Sequence, residues 1–311
     1  MKIAITGGTG FIGQRLIARH LCLGDEVVYL TRRQPKSETA AQPFIGDLTS
    51  SAKELKNFTQ NADVLYHCAA EIRDVEKINS TNVEGTKNLI DAAKGNINRW
   101  VQLSSIGVYG RNVKGIVEEN SPLLPTNLYE VSKARSDGLV LQAAKRYDFD
   151  TFILRPSNVY GNDMKNQSIF RLIEVVDKER FFFIGKKRAI VNYIHVENVV
   201  DALVLCATTT QKMGTFIVSD TCDLKIFIEL IARALEKKVP QISIPEPLVR
   251  LFAICTSKLM PSLLTTSKVD ALTSTVTHEI FKIQKELNFR NNISMQKGIT
   301  ELVHHWKSLQ V

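Results

Sequence analysis

The chain has 311 residues, 44% of them hydrophobic and 23% charged, which excludes a disordered, collagen-like or coiled-coil protein and permits one large domain or two modest ones. At this length folding buries roughly 75% of the unfolded surface, so the core needs neither disulfide nor metal. Forty Lys and Arg against 32 Asp and Glu leave a net charge of +8, a general preference for anionic partners; the densest basic cluster, Lys186-Lys187-Arg188, is too short for a nucleic-acid stripe.

Residues 2–6 form a short apolar run that ends in glycines, and from 11 to 21 the apolar spacing is helical. Gly24-Asp25 turns the chain into a second strand at 26–30, and 44–45, 64–66, 100–103 and 151–154 supply four more. Long helices are expected over 83–93 and 130–145. Apolar strands alternating with helices signal βαβ units on a parallel sheet covered on both faces. After Gly161 the pattern is less regular: strands at 181–184 and 193–196, a helix at 199–207, and a segment at 216–218 that returns to the main sheet. Neither repeats nor low-complexity segments occur.

The first strand runs into Gly7-Gly8-Thr9-Gly10-Phe11-Ile12-Gly13 and then a helix. Glycines there allow a tight turn, close approach of backbone to a pyrophosphate, and helix-on-strand packing, while the helix N-terminus offers amides and a positive dipole end. The expected architecture is α/β, a Rossmann doubly wound parallel sheet with a smaller, interleaved C-terminal substrate lobe. The nucleotide-binding core spans 1–161 with contributions from about 190–220, and the lobe takes 162–190 and 221–311. The second strand ends in Thr31-Arg32-Arg33, where an NAD-preferring site expects an acid; Asp25 and Glu26 sit at its wrong end. Arg32 or Arg33 would pair with a 2′-phosphate, so NADP(H) is favoured over NAD(H).

Tyr129 and Lys133 stand one turn apart on one helix face. A free phenol, with a pKa of about 10, exchanges protons poorly near neutrality; a nearby ammonium and an oxidised nicotinamide would favour the phenolate. Ser105, at the end of the fifth strand, would hydrogen-bond the same reacting oxygen.

TGGTGFIG (6–13), GDL (46–48), HCAA (67–70), NVEGT (82–86), LSSIGVYG (103–110), YEVSK (129–133), LRPSNVYG (154–161) and YIHVENVVDA (193–202) follow in order along nearly the whole chain. In them the sequence resembles extended short-chain dehydrogenases/reductases of the NAD(P)-dependent epimerase/dehydratase type. The closing KIQKELNF segment also resembles the family, with Asn288 where a Gly is usual, a swap that a helix C-cap tolerates. The resemblance implies catalysis by Ser105, Tyr129 and Lys133. It implies cofactor contacts from Gly7, Gly10, Phe11, Ile12, Gly13, Asp47 and Leu48 (adenine), Ala69, Asn82, Tyr129, Lys133 and Pro156, and a substrate diphosphate contact from Asn158. Asn82 also reads as an N-cap ahead of Val83.

Dehydratases of this family carry Asp-Glu after the catalytic hydroxyl residue, and here Ser105 precedes Ile106-Gly107. That leaves hydride transfer without elimination, as 4-epimerase or 4-ketoreductase acting on a nucleoside-diphosphate sugar. Where related 4-epimerases place a diphosphate-gripping Arg, this chain has Val191, and Arg188 is a possible substitute at an odd strand offset. The apolar spelling around Val191 also resembles hydroxysteroid dehydrogenase-like carbonyl reductases, whose substrates lack a diphosphate. A non-enzymatic NADP(H)-sensing protein is a third reading, opposed by the intact Ser105, Tyr129 and Lys133.

His195 reads as structural, and neither it nor the five scattered cysteines make a metal or disulfide pattern; the thiols are expected free and buried. No run of 18 apolar residues occurs, and the early glycines interrupt any leader-like apolar core, so a cytoplasmic location is the expectation. Residues 248–264 read either as a helix pair on the substrate lobe or as an amphipathic membrane-contact segment. A homodimer through the two long helices is a further expectation.

Overall fold

A computed structural model describes residues 1–35, 40–111, 113–164, 167–185, 188–256 and 265–310. Six strands of the main sheet come first: β1 (Lys2–Thr6), β2 (Glu26–Thr31), β3 (Gln42–Ile45), β4 (Ala62–His67), β5 (Ile97–Leu103) and β6 (Asp150–Pro156). The chain leaves the sheet as β7 (Asn158–Tyr160) and β8 (Ile190–His195), returns as β9 (Met213–Val218), and leaves again as β10 (Asp220–Asp223). The main sheet has seven strands in the order β9-β6-β5-β4-β1-β2-β3, all pairs parallel. The order reverses at β1, so a crevice opens at the carboxyl ends of β1 and β4. β7, β8 and β10 make a separate three-stranded sheet beside it.

The helices are α1 (Phe11–Cys22), α2 (Ala52–Thr59), α3 (Val75–Asn79), α4 (Gly85–Ala93), α5 (Leu128–Arg146), α6 (Ser168–Asp177), α7 (Val196–Thr208), α8 (Leu224–Ala234), α9 (Glu246–Thr256), α10 (Thr266–Thr273), α11 (Phe281–Leu287) and α12 (Met295–Ser308). Side chains choose their starts: Ser51, Asn127, Asp223 and Ser294 each accept an amide N–H of the first turn. His195 does the same for α7, its Nδ1 accepting from the Glu197 amide at 3.3 Å, which gives that histidine the structural role expected of it. Asn288 ends α11 in the left-handed conformation at φ 51°, as the Gly-to-Asn swap implied.

Alternation along the strands divides the core into two layers. Ile3, Ile5, Tyr66 and Phe152 pack with Leu16, Val199, Leu203 and Phe289 on one face. Ala4, Leu65 and Trp100 pack with Leu55, Leu89 and Val140 on the other. Each fully buried Leu or Ile contributes about 1.5–3 kcal/mol, which is what holds helices to both faces. A separate cluster of Ile173, Phe227, Ile228 and Leu302 joins α6, α8 and α12 into the second lobe. The interleaving goes further than expected: α11 and Phe289, from the C-terminal stretch, pack on the main sheet.

Some expectations need correction. The helix expected at 83–93 begins at Val75 and passes through one π-helical turn, Ser80–Glu84, so Asn82 is inside a helix and caps none. Of the 181–184 strand, Phe183–Ile184 are extended, and Val196 opens α7 rather than ending a strand. Cys22 and Cys255 are exposed, whereas Cys206 is buried and all five thiols are free. α9 seats Val249 and Ala253 against Ile184 and Val269 as part of a helix pair with α10, and leaves Leu248 and Leu251 exposed. The rest of that segment, 257–264, and Lys186 and Lys187 lie outside the described residues. Among the described residues no helix is long and apolar enough to cross a membrane, and no cluster of His, Cys, Asp or Glu suits a metal ion.

Candidate active site

The glycine turn joins β1 to α1. Gly7 sits at φ +72°, and its carbonyl accepts the Gly10 amide at 2.9 Å. A Cβ on Gly7 would lie 2.7 Å from the Ala69 nitrogen, so the loops after β1 and β4 touch backbone to backbone. The Ala69 amide donates to Thr6 Oγ1 at 3.2 Å. No side chain caps α1, so its first-turn amides, those of Phe11, Ile12 and Gly13, are available to an anion. This uncapped, glycine-rich turn fits a dinucleotide pyrophosphate.

At the end of β2, Thr31 Oγ1 donates to the Arg33 carbonyl and accepts the Arg33 amide, which turns Arg32 and Arg33 outward. Both are exposed, and neither enters an ion pair among the described residues. After β3, Asp47 Oδ1 accepts the Thr49 amide and hydroxyl at 2.8 and 2.9 Å. The Leu48 side chain is buried in the core with Leu55 and Leu89, and its carbonyl accepts from Asn88. Asn82 is 2% exposed; its amide group bonds both backbone groups of Glu71 and the Ser132 hydroxyl. It thereby ties the loop after β4 to α5, with both of its N–H donors spent on protein.

Ser105 and Lys133 stand at the carboxyl end of β5, and Tyr129 lies one turn before Lys133 on α5. Ser105, two residues past that strand, accepts the Gly107 amide at 3.0 Å, which leaves its hydroxyl proton free to donate. Asn127 accepts the Glu130 amide at 2.9 Å, and Glu130 Oε2 accepts from the Thr126 amide at 2.8 Å. These two bonds fix the first turn of α5 and with it Tyr129. One turn on, the buried Lys133 donates to the Leu103 carbonyl at 2.5 Å. Burial, then the carboxylates of Asp137 and Glu130, push the Tyr129 phenol up to about 12. In the chain itself the phenol is therefore not depressed as expected: burial and then two carboxylates oppose the phenolate, and the Lys133 ammonium is held on the Leu103 carbonyl. Burial also lowers Lys133 itself, with Asp137 opposing. Pro156, the last residue of β6, is buried beside Val218.

On the lobe side, Asn158 is exposed and donates to the Asn192 carbonyl at 3.1 Å. Arg188 does not point free into the site: its Nε meets Asp223 Oδ2 at 2.6 Å, and it lines a cavity of about 450 Å³ with Phe183, Lys225, Gln241 and Leu272. Val191 lies in β8 opposite Cys222. Sequence reasoning missed Asp137 and Arg155, a buried ion pair behind Lys133 with N–O 3.1 Å. The signal was there, an acid one turn past Lys133 and an Arg inside LRPSNVYG.

Residues 3–218 match the model of the NAD dependent epimerase/dehydratase family. Among characterised proteins, a 4-hydroxy-2-methyl-3-oxo-4-farnesyl-3,4-dihydroquinoline-1-oxide ketoreductase of Stigmatella aurantiaca is 27% identical over 97% of this chain and 96% of its own. UDP-glucose 4-epimerase of Vibrio cholerae is 27% identical over 96% and 94%. The fold is shared with a UDP-glucuronic acid 4-epimerase from Bacillus cereus solved with NAD, at a TM-score of 0.77 and 19% identity over the full length of both chains. The chain thus belongs to the NAD-dependent epimerase/dehydratase family and is an NAD(P)-dependent enzyme of the extended short-chain dehydrogenase/reductase type.

Proposed function

We propose that the chain moves a hydride between a nicotinamide and a carbinol or keto carbon of a nucleoside-diphosphate sugar, at C4, as a 4-epimerase or 4-ketoreductase. The observations that carry the hydride chemistry are Ser105 and Lys133 at the end of β5, Tyr129 one turn before Lys133 on α5, and an uncapped glycine turn after β1. Gly7, Gly10, Phe11, Ile12 and Gly13 hold the pyrophosphate, Asp47, Leu48 and Ala69 line the adenosine side, Asn82 braces the loop, and Pro156 borders the nicotinamide. Arg32 and Arg33, turned outward by Thr31 and without acidic partners among the described residues, support NADP(H). When bound, the cofactor supplies the hydride or takes it up, and its oxidised ring adds a positive charge that favours the phenolate.

Tyr129 gives a proton to the reacting oxygen in reduction and takes one in oxidation. Ser105, its lone pair engaged by Gly107, donates to that same oxygen. Lys133 has three donors, one on Leu103, so two remain for the ribose hydroxyls. Asn158 faces the substrate from the second lobe.

A second reading, a carbonyl compound without a diphosphate, is favoured by one observation. Arg188, the candidate substitute for the Arg absent at Val191, is neutralised by Asp223. Thermal shift with NAD, NADP, UDP, GDP and dTDP separates the two. Stabilisation by one nucleoside diphosphate supports the sugar nucleotide; stabilisation by NADP and by none of the diphosphates moves the assignment to the second reading. Absence of any nicotinamide-dependent turnover across sugar-nucleotide and simple ketone panels refutes both.

A further inference from the structure

A chain of hydrogen bonds runs through the core beneath the crevice. Thr6 ends β1, His67 ends β4, Thr86 lies on α4, Gln102 on β5 and Ser136 on α5, and each is at most 1% exposed. Thr6 Oγ1 meets the Ala69 amide at 3.2 Å and His67 Nδ1 at 2.7 Å. Thr86 Oγ1 meets His67 Nε2 at 3.0 Å and the Asn82 carbonyl at 2.6 Å. A side branch runs from Trp100 Nε1 to Gln102 Oε1 at 3.0 Å, from Gln102 Nε2 to Ser136 Oγ at 3.2 Å, and from Ser136 Oγ to Thr86 Oγ1 at 2.8 Å.

Two ends of fixed polarity settle where every proton between them lies. An indole N–H only donates, so Gln102 turns its oxygen to Trp100 and its nitrogen to Ser136, and the Ser136 proton goes to Thr86. A carbonyl only accepts, so the single Thr86 proton goes to Asn82. Thr86 then accepts from His67, whose Nε2 must carry a hydrogen. A second hydrogen on Nδ1 would leave the Thr6 proton without an acceptor, and burial likewise holds the ring neutral, at about 3. Nδ1 is therefore bare and takes the Thr6 proton, and the Thr6 oxygen is left to accept the Ala69 amide. None of these five side chains has an unpartnered buried polar atom among the described residues. A fully satisfied buried network of this kind specifies one geometry.

The geometry that it specifies is that of the cofactor turn. A Cβ on Gly7 would lie 2.7 Å from the Ala69 nitrogen, so the bond from that nitrogen to Thr6 sets how closely the loop after β4 approaches the glycine turn. Resting on the cofactor contacts proposed above, we propose that His67, as its Nε2–H tautomer, is a positioning residue for the cofactor, fixing the Thr6 hydroxyl as the acceptor that holds the Ala69 loop against the turn. The opposite tautomer would set a bare Nε2 against the Thr86 oxygen and leave the Thr6 proton without a partner. The α4 and α5 side of the network thus selects the state of the ring, and the glycine-turn side uses it.

The test begins with proton–nitrogen correlation NMR of the imidazoles in the wild type without cofactor. At neutral pH the His67 ring should be protonated at Nε2 alone; a proton on Nδ1, on both nitrogens or shared between them overturns the inference. NADPH and NADH fluorescence titrations, with a thermal melt of each variant, then read the role. His67→Leu removes the acceptor of the Thr6 proton and should weaken binding about 3- to 10-fold, as should Thr6→Val, which removes the acceptor of the Ala69 amide. Because both act through one bond, His67→Leu/Thr6→Val should bind about as weakly as the weaker single variant, where independent losses would multiply. His67→Asn, whose Oδ1 can take the Thr6 proton but whose side chain stops short of Thr86, should melt lower than the wild type yet keep its affinity. Losses that multiply, or a His67→Asn affinity that falls as far as that of His67→Leu, overturn the inference and leave the proposed function standing. A wild type that binds neither NADPH nor NADH overturns both.

Discussion

Replacing Gly13 by Ala places a methyl where α1 crosses β1. The added carbon would lie 2.9 Å from the Gly7 carbonyl carbon and 2.9 Å from Gly8 Cα, with the Gly7 oxygen nearer still. Moving the two carbons out to the about 3.5 Å of ordinary contact takes roughly 0.6 Å, and the oxygen asks for more. All three atoms are backbone, so no side chain can rotate away; α1 has to lift from β1 by about 1 Å. Overpacking of this kind costs about 1–3 kcal/mol, or several degrees in melting temperature for a domain of this size. The same lift carries the Phe11 and Ile12 amides from about 2.9 Å toward the limit of hydrogen bonding to a phosphate. One lost charge-assisted bond is worth about 1.5–3 kcal/mol, so the dissociation constant for NAD(P)H should rise about 10- to 100-fold. Gly10→Ala is the graded control, since its methyl meets Gly7 O alone, at 3.1 Å, and should cost less on both counts. Fluorescence titration with NADPH and NADH, with a thermal melt of each variant, reads both effects. A Gly13→Ala affinity within twofold of wild type, or a Gly10→Ala defect larger than that of Gly13→Ala, refutes this account of the turn.

Tyr129→Phe should lower kcat by about 10²- to 10⁴-fold while cofactor affinity stays within a few fold; lost binding with kcat intact at saturation would contradict the acid–base role. Arg32→Asp should move the ratio of kcat/KM values from NADP toward NAD, and an unchanged ratio would show that Arg32 does not read the 2′-phosphate. Burial depresses His67 to about 3, so its stabilising effect is complete above the unfolded value of about 6.5 and is lost as pH falls, because the unfolded chain gains a proton that the folded chain refuses. From pH 7 to 5 that is about 2 kcal/mol from His67 alone; urea unfolding should show His67→Asn losing correspondingly less, and an equal loss in both proteins would place the titration elsewhere.

Where backbone geometry dictates residue type, the sequence was readable. The turn after β1 tolerates no side chains at Gly7 and Gly13, and Ser105 and Tyr129 fall at a strand end and a capped helix start that periodicity locates. The N-cap reading of Asn82 failed because a π-helical turn has no sequence period of its own and its bonds run to Glu71 and Ser132, 11 and 50 residues away. The exposure of Cys22 and Cys255 was hidden for a similar reason. A cysteine's apolar character says that burial is favourable, while the packing of α1 and α9 decides whether a wall exists to bury it against.

The substrate side resists the same treatment for a physical reason. A pyrophosphate on the core is met by backbone amides, whose positions follow from glycine and helix geometry, whereas selection in the lobe is made by side chains whose partners come from distant segments. Arg188 illustrates this: by type and position it could serve a diphosphate, yet its guanidinium is bonded to Asp223, the residue that caps α8. An anionic substrate would have to compete with that carboxylate. The competition is weaker than the 2.6 Å contact suggests, since Arg188 is 74% exposed and an exposed ion pair is worth about 0–1 kcal/mol. A diphosphate binding with two negative charges could therefore draw the arginine away, while a neutral ketone would leave the pair closed. Whether Arg188 changes partner on binding is thus the point at which the two substrate classes diverge.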